Sequence, residues 1–183
     1  MEEIDILNAI HGALNSTAMD YLALAFEYVF KIGIIWIVIG LLLMRNPCDR
    51  KFGATLIFAM ILEFIIVYCL KFAVDRPRPF VTYEIDALIN AFNSTSFPSG
   101  HTAQLFCAAT VIGIFRRKYA APMFILAIMV AVSRMYLYAH YPTDVLAGAV
   151  IGIVVAFVTI EYIMRSGRIT VFVKIRDGDE ESD

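Results

Sequence analysis

The sequence predicts an all-α integral membrane protein: a bundle of about five transmembrane helices plus an N-terminal interfacial helix. Three observations lead there. The 183 residues are 60% hydrophobic and only 17% charged, with a mean hydropathy of +0.74, whereas soluble domains sit nearer half apolar and a quarter charged. The apolar residues gather into five long runs, and basic residues cluster between them. The formal charge of −2, from 15 basic and 17 acidic residues, argues against nucleic acid as a partner.

In chain order, the start carries Glu2, Glu3 and Asp5 and lacks the basic stretch and cleavage site of a signal peptide. Ile4, Leu7, Ile10 and Leu14 recur at helical spacing and predict a short amphipathic helix at the membrane interface within residues 1–20. A membrane domain over 21–165 follows. Its runs, 21–44, 52–72, 101–115, 119–138 and 143–164, are each long enough, or nearly so, to cross a hydrocarbon layer about 30 Å thick. The third is shortest, so one of its ends is expected below the membrane surface. Counting the first 20 residues as a further span would make six transmembrane helices. Residues 166–183 read as a tail, weakly strand-like over 169–175 and disordered in composition from Asp177. Cys48, Cys69 and Cys107 form no disulfide framework or zinc pattern.

Ten of the 15 basic residues fall in three clusters: Arg45, Arg50 and Lys51; Arg116, Arg117 and Lys118; and Arg165, Arg168, Lys174 and Arg176. Five spans place these on one side, and the positive-inside rule makes that side cytoplasmic. The N-terminus, the segment 73–99 and the turn around His140 then face outward. Lys31 lies within a span, but Lys71, Arg76, Arg78 and Arg134 gather at the outer face against the rule. Ionisable groups inside spans are costly and normally paired. Glu27 and Lys31, four apart on the first span, and Glu63 on the second therefore predict a bridge from Lys31 to Glu63 or Glu27, with a proton or ion path as the alternative.

Four helix ends are expected to converge at the outer face. The second span ends at Lys71 and runs into Asp75-Arg76-Pro77-Arg78-Pro79, where two prolines stop a helix. The third begins with Pro98-Ser99-Gly100-His101, the fourth ends near Ser133-Arg134, and the fifth begins after His140, with Pro142 suited to its first turn. Helix N-termini favour anions. Gly100 lets a phosphate oxygen approach the backbone, the Ser99 hydroxyl can donate, and Lys71, Arg78 and Arg134 supply positive charge. From the first turn of its helix, Asp144 can reach back to His140 Nδ1, leaving Nε2 to attack phosphorus, while His101 can protonate the departing oxygen. Taken singly, each feature has a plainer explanation: interfacial histidines, snorkelling cations and Ser-Gly turns are common. Their succession at helix ends on one face is not explained that way.

Lys71-x6-Arg78-Pro79, Pro98-Ser99-Gly100-His101 and Ser133-Arg134-x5-His140-x3-Asp144 resemble the three-part signature of the type-2 phosphatidic-acid phosphatase superfamily, an integral-membrane lipid phosphatase family, from Lys71 to about Gly148. The resemblance implies a phosphatase that needs no metal or other cofactor and works through a phosphohistidine. It makes His140 the nucleophile, Asp144 its partner and His101 the leaving-group acid, with Lys71, Arg78, Ser99, Gly100 and Arg134 binding phosphate. Soluble haloperoxidases and acid phosphatases share the signature, but the apolar runs argue against either.

Arg76-Pro77-Arg78-Pro79-Phe80 and the short chain look like the small prokaryotic polyprenyl diphosphate phosphatases, which recycle undecaprenyl diphosphate for envelope synthesis. Relatives of that kind act instead on phosphatidic acid, phosphatidylglycerophosphate or diacylglycerol diphosphate. A non-enzymatic lipid-phosphate binder or transporter subunit is the rival class, opposed by the intact His101, His140 and Asp144. The expected partners are a lipid phosphate and the bilayer; the oligomeric state is left open. Ile85, Leu88, Ile89 and Phe92 recur at helical spacing and predict a short interfacial helix over 83–92, either a lipid gate or a passive cover. Asn15-Ser16-Thr17 and Asn93-Ser94-Thr95 match glycosylation sequons.

Overall fold

In the computed structural model, residues 2–31, 33–89 and 95–165 are described, and among them there is no strand. The helices are α1 (Glu3–Leu14), α2 (Thr17–Phe30), α3 (Ile34–Met44), α4 (Arg50–Val74), the single turn α5 (Pro79–Thr82), α6 (Gly100–Phe115), α7 (Ala120–Tyr136) and α8 (Pro142–Arg165). Short 3-10 turns, Pro47–Asp49 and Arg117–Tyr119, lead into α4 and α7.

Three segments, Pro47–Thr82, Arg117–Tyr136 and Pro142–Arg165, are long and apolar enough to cross a membrane. The first predicted run is two helices instead of one straight span: α2 and α3 qualify only as a pair, bent by 55°. Its break is anchored at Gly33, whose left-handed φ of +69° suits a residue without a Cβ. Gln104 of α6 satisfies the backbone groups freed there, its amide donating to Phe30 O and accepting from Gly33 N–H at 3.0 Å each. At 16 residues α6 spans about 24 Å and is too short to reach both faces.

α6 is nonetheless the centre of the bundle. Leu105, Cys107, Ala108 and Val111 are fully buried, and the helix packs on α4, α7 and α8. A helix apolar on all sides belongs inside. The close fit to α8 depends on Gly148 and Gly152, four apart on one face. A Cβ on Gly148 would stand 2.6 Å from Ser99 O, and one on Gly152 would overlap Ala103 O. The α8 backbone therefore lies directly on the first turns of α6, as small-xxx-small faces allow.

At one end, Arg116 pairs with Asp49 and Phe52 stacks on Phe115 at 5.1 Å, which brings the first two basic clusters together. At the other end, α1 uses its predicted apolar stripe against protein. Leu7 is fully buried in a cluster with Phe80, Tyr136 and Tyr138, and His11 stacks on Tyr136 at 4.7 Å. The helix expected over 83–92 is absent from its described part. The helical turn comes earlier, at Pro79–Thr82, because Pro79 suits a first turn. Glu84, at φ +51°, ends it, and Ile85 N–H returns to Phe80 O at 3.0 Å. Phe92, the sequon at Asn93 and the 166–183 tail with its strand-like stretch lie outside the described residues.

Candidate active site

Each predicted site residue sits at or beside a helix end. Lys71 is in the last turn of α4, which stops at Asp75 in a left-handed conformation (φ 44°). Ser99 precedes α6, Gly100 and His101 form its first turn, and Arg134 lies in the last turn of α7. His140 precedes α8, and Asp144 lies in the first turn of that helix. A cavity of about 340 Å³ opens between them, lined by Lys71, Arg78, Gly100, His101 and His140. Phe30, Phe64, Val67 and Tyr68 supply apolar walls, and Phe64 and Tyr68 are mostly exposed on the outer surface of α4. The remaining three, Ser99, Arg134 and Asp144, stand behind the wall.

His140 is almost completely buried, and its Nδ1 lies 2.6 Å from Ser96 O. A carbonyl only accepts, so Nδ1 carries the proton and Nε2 keeps its lone pair. Burial first, then the charges of Arg78, Lys71 and Arg134, push the His140 pKa well below its ordinary value, favouring neutral imidazole. Asp144 does not make the direct hydrogen bond expected from spacing: Oδ2 stands 3.8 Å from His140 Nδ1. Its Oδ2 accepts instead from Tyr141 N–H at 2.9 Å, and its Oδ1 from Arg76 Nη1 at 2.8 Å. The Ser96 carbonyl is closer to Nδ1 because Ser96 is itself tied down, its N–H donating to Arg76 O and its hydroxyl to Pro77 O.

Arg76 thus holds Asp144 in place, beside the cavity-lining Arg78. Besides Asp144 it donates to Thr143 Oγ1 at 2.8 Å and to Glu3 Oε2 at 2.5 Å, and it lies 3.7 Å over the Tyr141 ring. Burial works to raise the Glu3 pKa, but hydrogen bonds from Thr143 and Arg76 together hold it below the ordinary carboxylate value. Helix α1 is tied to the site through this contact.

On the opposite wall, Lys71 Nζ donates to Thr95 O at 2.8 Å and Arg78 Nη1 to Ala139 O at 3.3 Å. A Cβ on Gly100 would meet only Val67 Cγ1, at 3.6 Å, so the start of α6 is uncrowded on that side. The Ser99 hydroxyl is buried and engages Thr102 Oγ1 at 2.9 Å. Arg134, 1% exposed, gives its guanidinium to Glu27 Oε2, Ala23 O and Ser133 Oγ.

Glu27 therefore pairs with Arg134, and the predicted Lys31 bridge is not made: among the described residues no ion pair involves Lys31 or Glu63. Glu27 is taken by Arg134, and Lys31 and Glu63 both line the cavity without meeting in an ion pair. Glu27 was legible as an in-span acid in need of a partner, and Arg76 as an unexplained outer cation. Ser96, whose contribution is a backbone carbonyl, carried no signal. Among the described residues no group of three His, Cys, Asp or Glu side chains is placed to hold a metal ion.

A family model described as the PAP2 superfamily matches residues 52–168. The undecaprenyl-diphosphatase BcrC of Bacillus subtilis is similar at 29% identity over 155 residues, 84% of this chain and 80% of that protein. An undecaprenyl-diphosphatase of Sulfolobus acidocaldarius is similar at 27% over 132 residues, 69% of this chain and 63% of that protein. The crystal structure of Aquifex aeolicus LpxE superposes with a TM-score of 0.78 at 27% identity, covering 87% of this chain and 94% of that one.

Proposed function

The chain belongs to the PAP2 superfamily and is a multi-pass membrane lipid phosphatase; from that premise we propose that it removes the terminal phosphate of a polyprenyl diphosphate through a phosphohistidine. The observation that carries this reading is the cavity. Two imidazoles, three cations and a helix N-terminus share one space with Phe30, Phe64, Val67 and Tyr68, so a charged head and the start of a hydrocarbon tail fit together. Similarity to two undecaprenyl-diphosphatases favours a prenyl tail over an acyl one.

The phosphate lies against the Gly100 and His101 N–H groups, with Lys71 and Arg78 neutralising its charge. The Nε2 lone pair of His140 forms the N–P bond. The bond from phosphorus to the bridging oxygen breaks, its electron pair stays on that oxygen, and His101 gives it a proton. Water then attacks phosphorus, passes a proton to His101, and the N–P bond breaks to release inorganic phosphate and neutral His140. Ser96 holds the Nδ1 proton throughout, while Asp144, 3.8 Å away, stabilises the charge that builds on the ring. Ser99 and Arg134 act from behind the wall, shaping the α6 turn and adding positive potential. No step calls on a metal.

The domain division is residues 1–20 as an N-terminal interfacial helix, 21–165 as the transmembrane phosphatase domain and 166–183 as a cytoplasmic tail. The site faces out of the cytoplasm, because the basic clusters near Arg50 and Arg116 lie at the opposite end. Phosphate release from polyprenyl diphosphate and from phosphatidate, measured in detergent with a chelator control, tests the reading. Preferred turnover of the diphosphate, unaffected by chelator, is expected. Preference for phosphatidate overturns the substrate, and chelator sensitivity overturns the metal-free mechanism.

A further inference from the structure

We propose that Glu27 is a positioning residue for proton donation by His101. This rests on reading His101 as the leaving-group acid. Nothing in the signature from Lys71 to Gly148 includes α2, yet one turn of that helix grips His101 from the far side of the cavity. His101 Nε2 lies 3.4 Å from Glu27 O and 3.8 Å from Glu27 Oε2, and the same Oε2 takes the hydrogen bond from Arg134. Since the carbonyl can only accept, the Nε2 proton is held by Glu27, and Nδ1 is the nitrogen that exchanges a proton with the leaving oxygen.

The charges around the cavity give Glu27 its importance. An imidazole about to release a proton is a cation, and Lys71, Arg78 and Arg134 surround this one. Of the nearby carboxylates, Asp144 is engaged by Arg76 and Tyr141 N–H, and Glu63 lies two turns of α4 inward from Lys71, about 12 Å along the helix. Glu27 shares the cavity wall with His101 and meets its ring directly. The site therefore holds two imidazole–carboxylate pairs, each at 3.8 Å: Asp144 behind the nucleophile and Glu27 behind the acid. α2 is brought into place by the break at Gly33, which Gln104 secures one turn beyond His101.

The test is a leaving-group comparison in detergent, with the same preparation of each variant assayed on a long-chain alkyl phosphate and on p-nitrophenyl phosphate. An alkoxide needs a proton to leave; nitrophenolate does not. The ratio of the two kcat/KM values is independent of how much of the sample is folded. His101→Ala is expected to lose at least about a hundredfold more activity on the alkyl substrate than on the aryl one. Equal losses for that variant overturn the acid reading itself. Given a selective His101→Ala, Glu27→Gln is expected to lose about tenfold more on the alkyl substrate. An equal loss on both substrates means that Glu27 only neutralises Arg134, and overturns the proposal. Glu27→Asp, which keeps the charge but withdraws it by one methylene, carries the same test if the Gln variant does not fold, with an intermediate selective loss expected and an equal loss again overturning the proposal.

Discussion

The two histidines are held in opposite ways. His140 is fixed from within its own end of the bundle: Ser96 at its Nδ1, the Asp144–Arg76 pair behind it, and α8 packed backbone to backbone on α6 through Gly148 and Gly152. His101 is held by a residue 74 positions earlier, on a helix that packs chiefly against α7 and α3 and buries Ala23 and Phe30. The difference matches the roles proposed above. A nucleophile needs one orientation and one tautomer, which a rigid frame supplies. The proposed acid is set instead by a helix from outside that frame.

Breaking the rigid side has the largest effect. His140→Ala is expected to lower phosphate release by about a thousandfold or more, and a smaller loss, with no phosphorylated protein trapped from labelled substrate, would mean that another group attacks. Arg76→Ala comes next. With Asp144 released from its clamp, kcat is expected to fall about ten- to a hundredfold with little change in KM; a rise in KM alone would show that Arg76 binds substrate and is not part of the frame. Glu3→Gln loosens the partly exposed outer end of that clamp, so a loss under about fivefold is expected in the same assay. A much larger loss would make α1 as much a part of the site as α8.

The smallest effect is on pH dependence. The folded protein keeps His140 neutral below its ordinary value of 6.5. Between the two pKa values the unfolded chain binds a proton that the folded one refuses, so this contribution to stability is full above about pH 6.5 and is lost as the pH falls below it. Melting of the detergent-solubilised protein is expected to show the decline, and His140→Asn to remove part of it. An unchanged slope would contradict a buried, neutral nucleophile.

The catalytic end of α4 to α8 was largely legible because prolines, helix starts and charged residues mark helix ends in one dimension. The membrane character followed from hydropathy, and the site from cations placed where the positive-inside rule disfavours them. Less legible were interactions made through backbone. The first span read as one apolar run because hydropathy does not register a single left-handed glycine. The 83–92 segment has helical spacing, but over its described part, 83–89, Glu84 turns the chain and no helix forms. Of the two partners expected for Lys31, Glu27 is instead taken by Arg134, on a helix more than a hundred residues away.

The sequence by itself determined the solvent, the helical class and the chemistry, since apolar run length and residue type act locally. Only the tertiary structure decided which group holds which imidazole. Asp144, four residues from His140, stops at 3.8 Å because Arg76 and Tyr141 N–H compete for it. Glu27 reaches His101 because α2 breaks and docks. Such choices depend on competition among donors and acceptors brought together by packing, and spacing along the chain does not encode that competition.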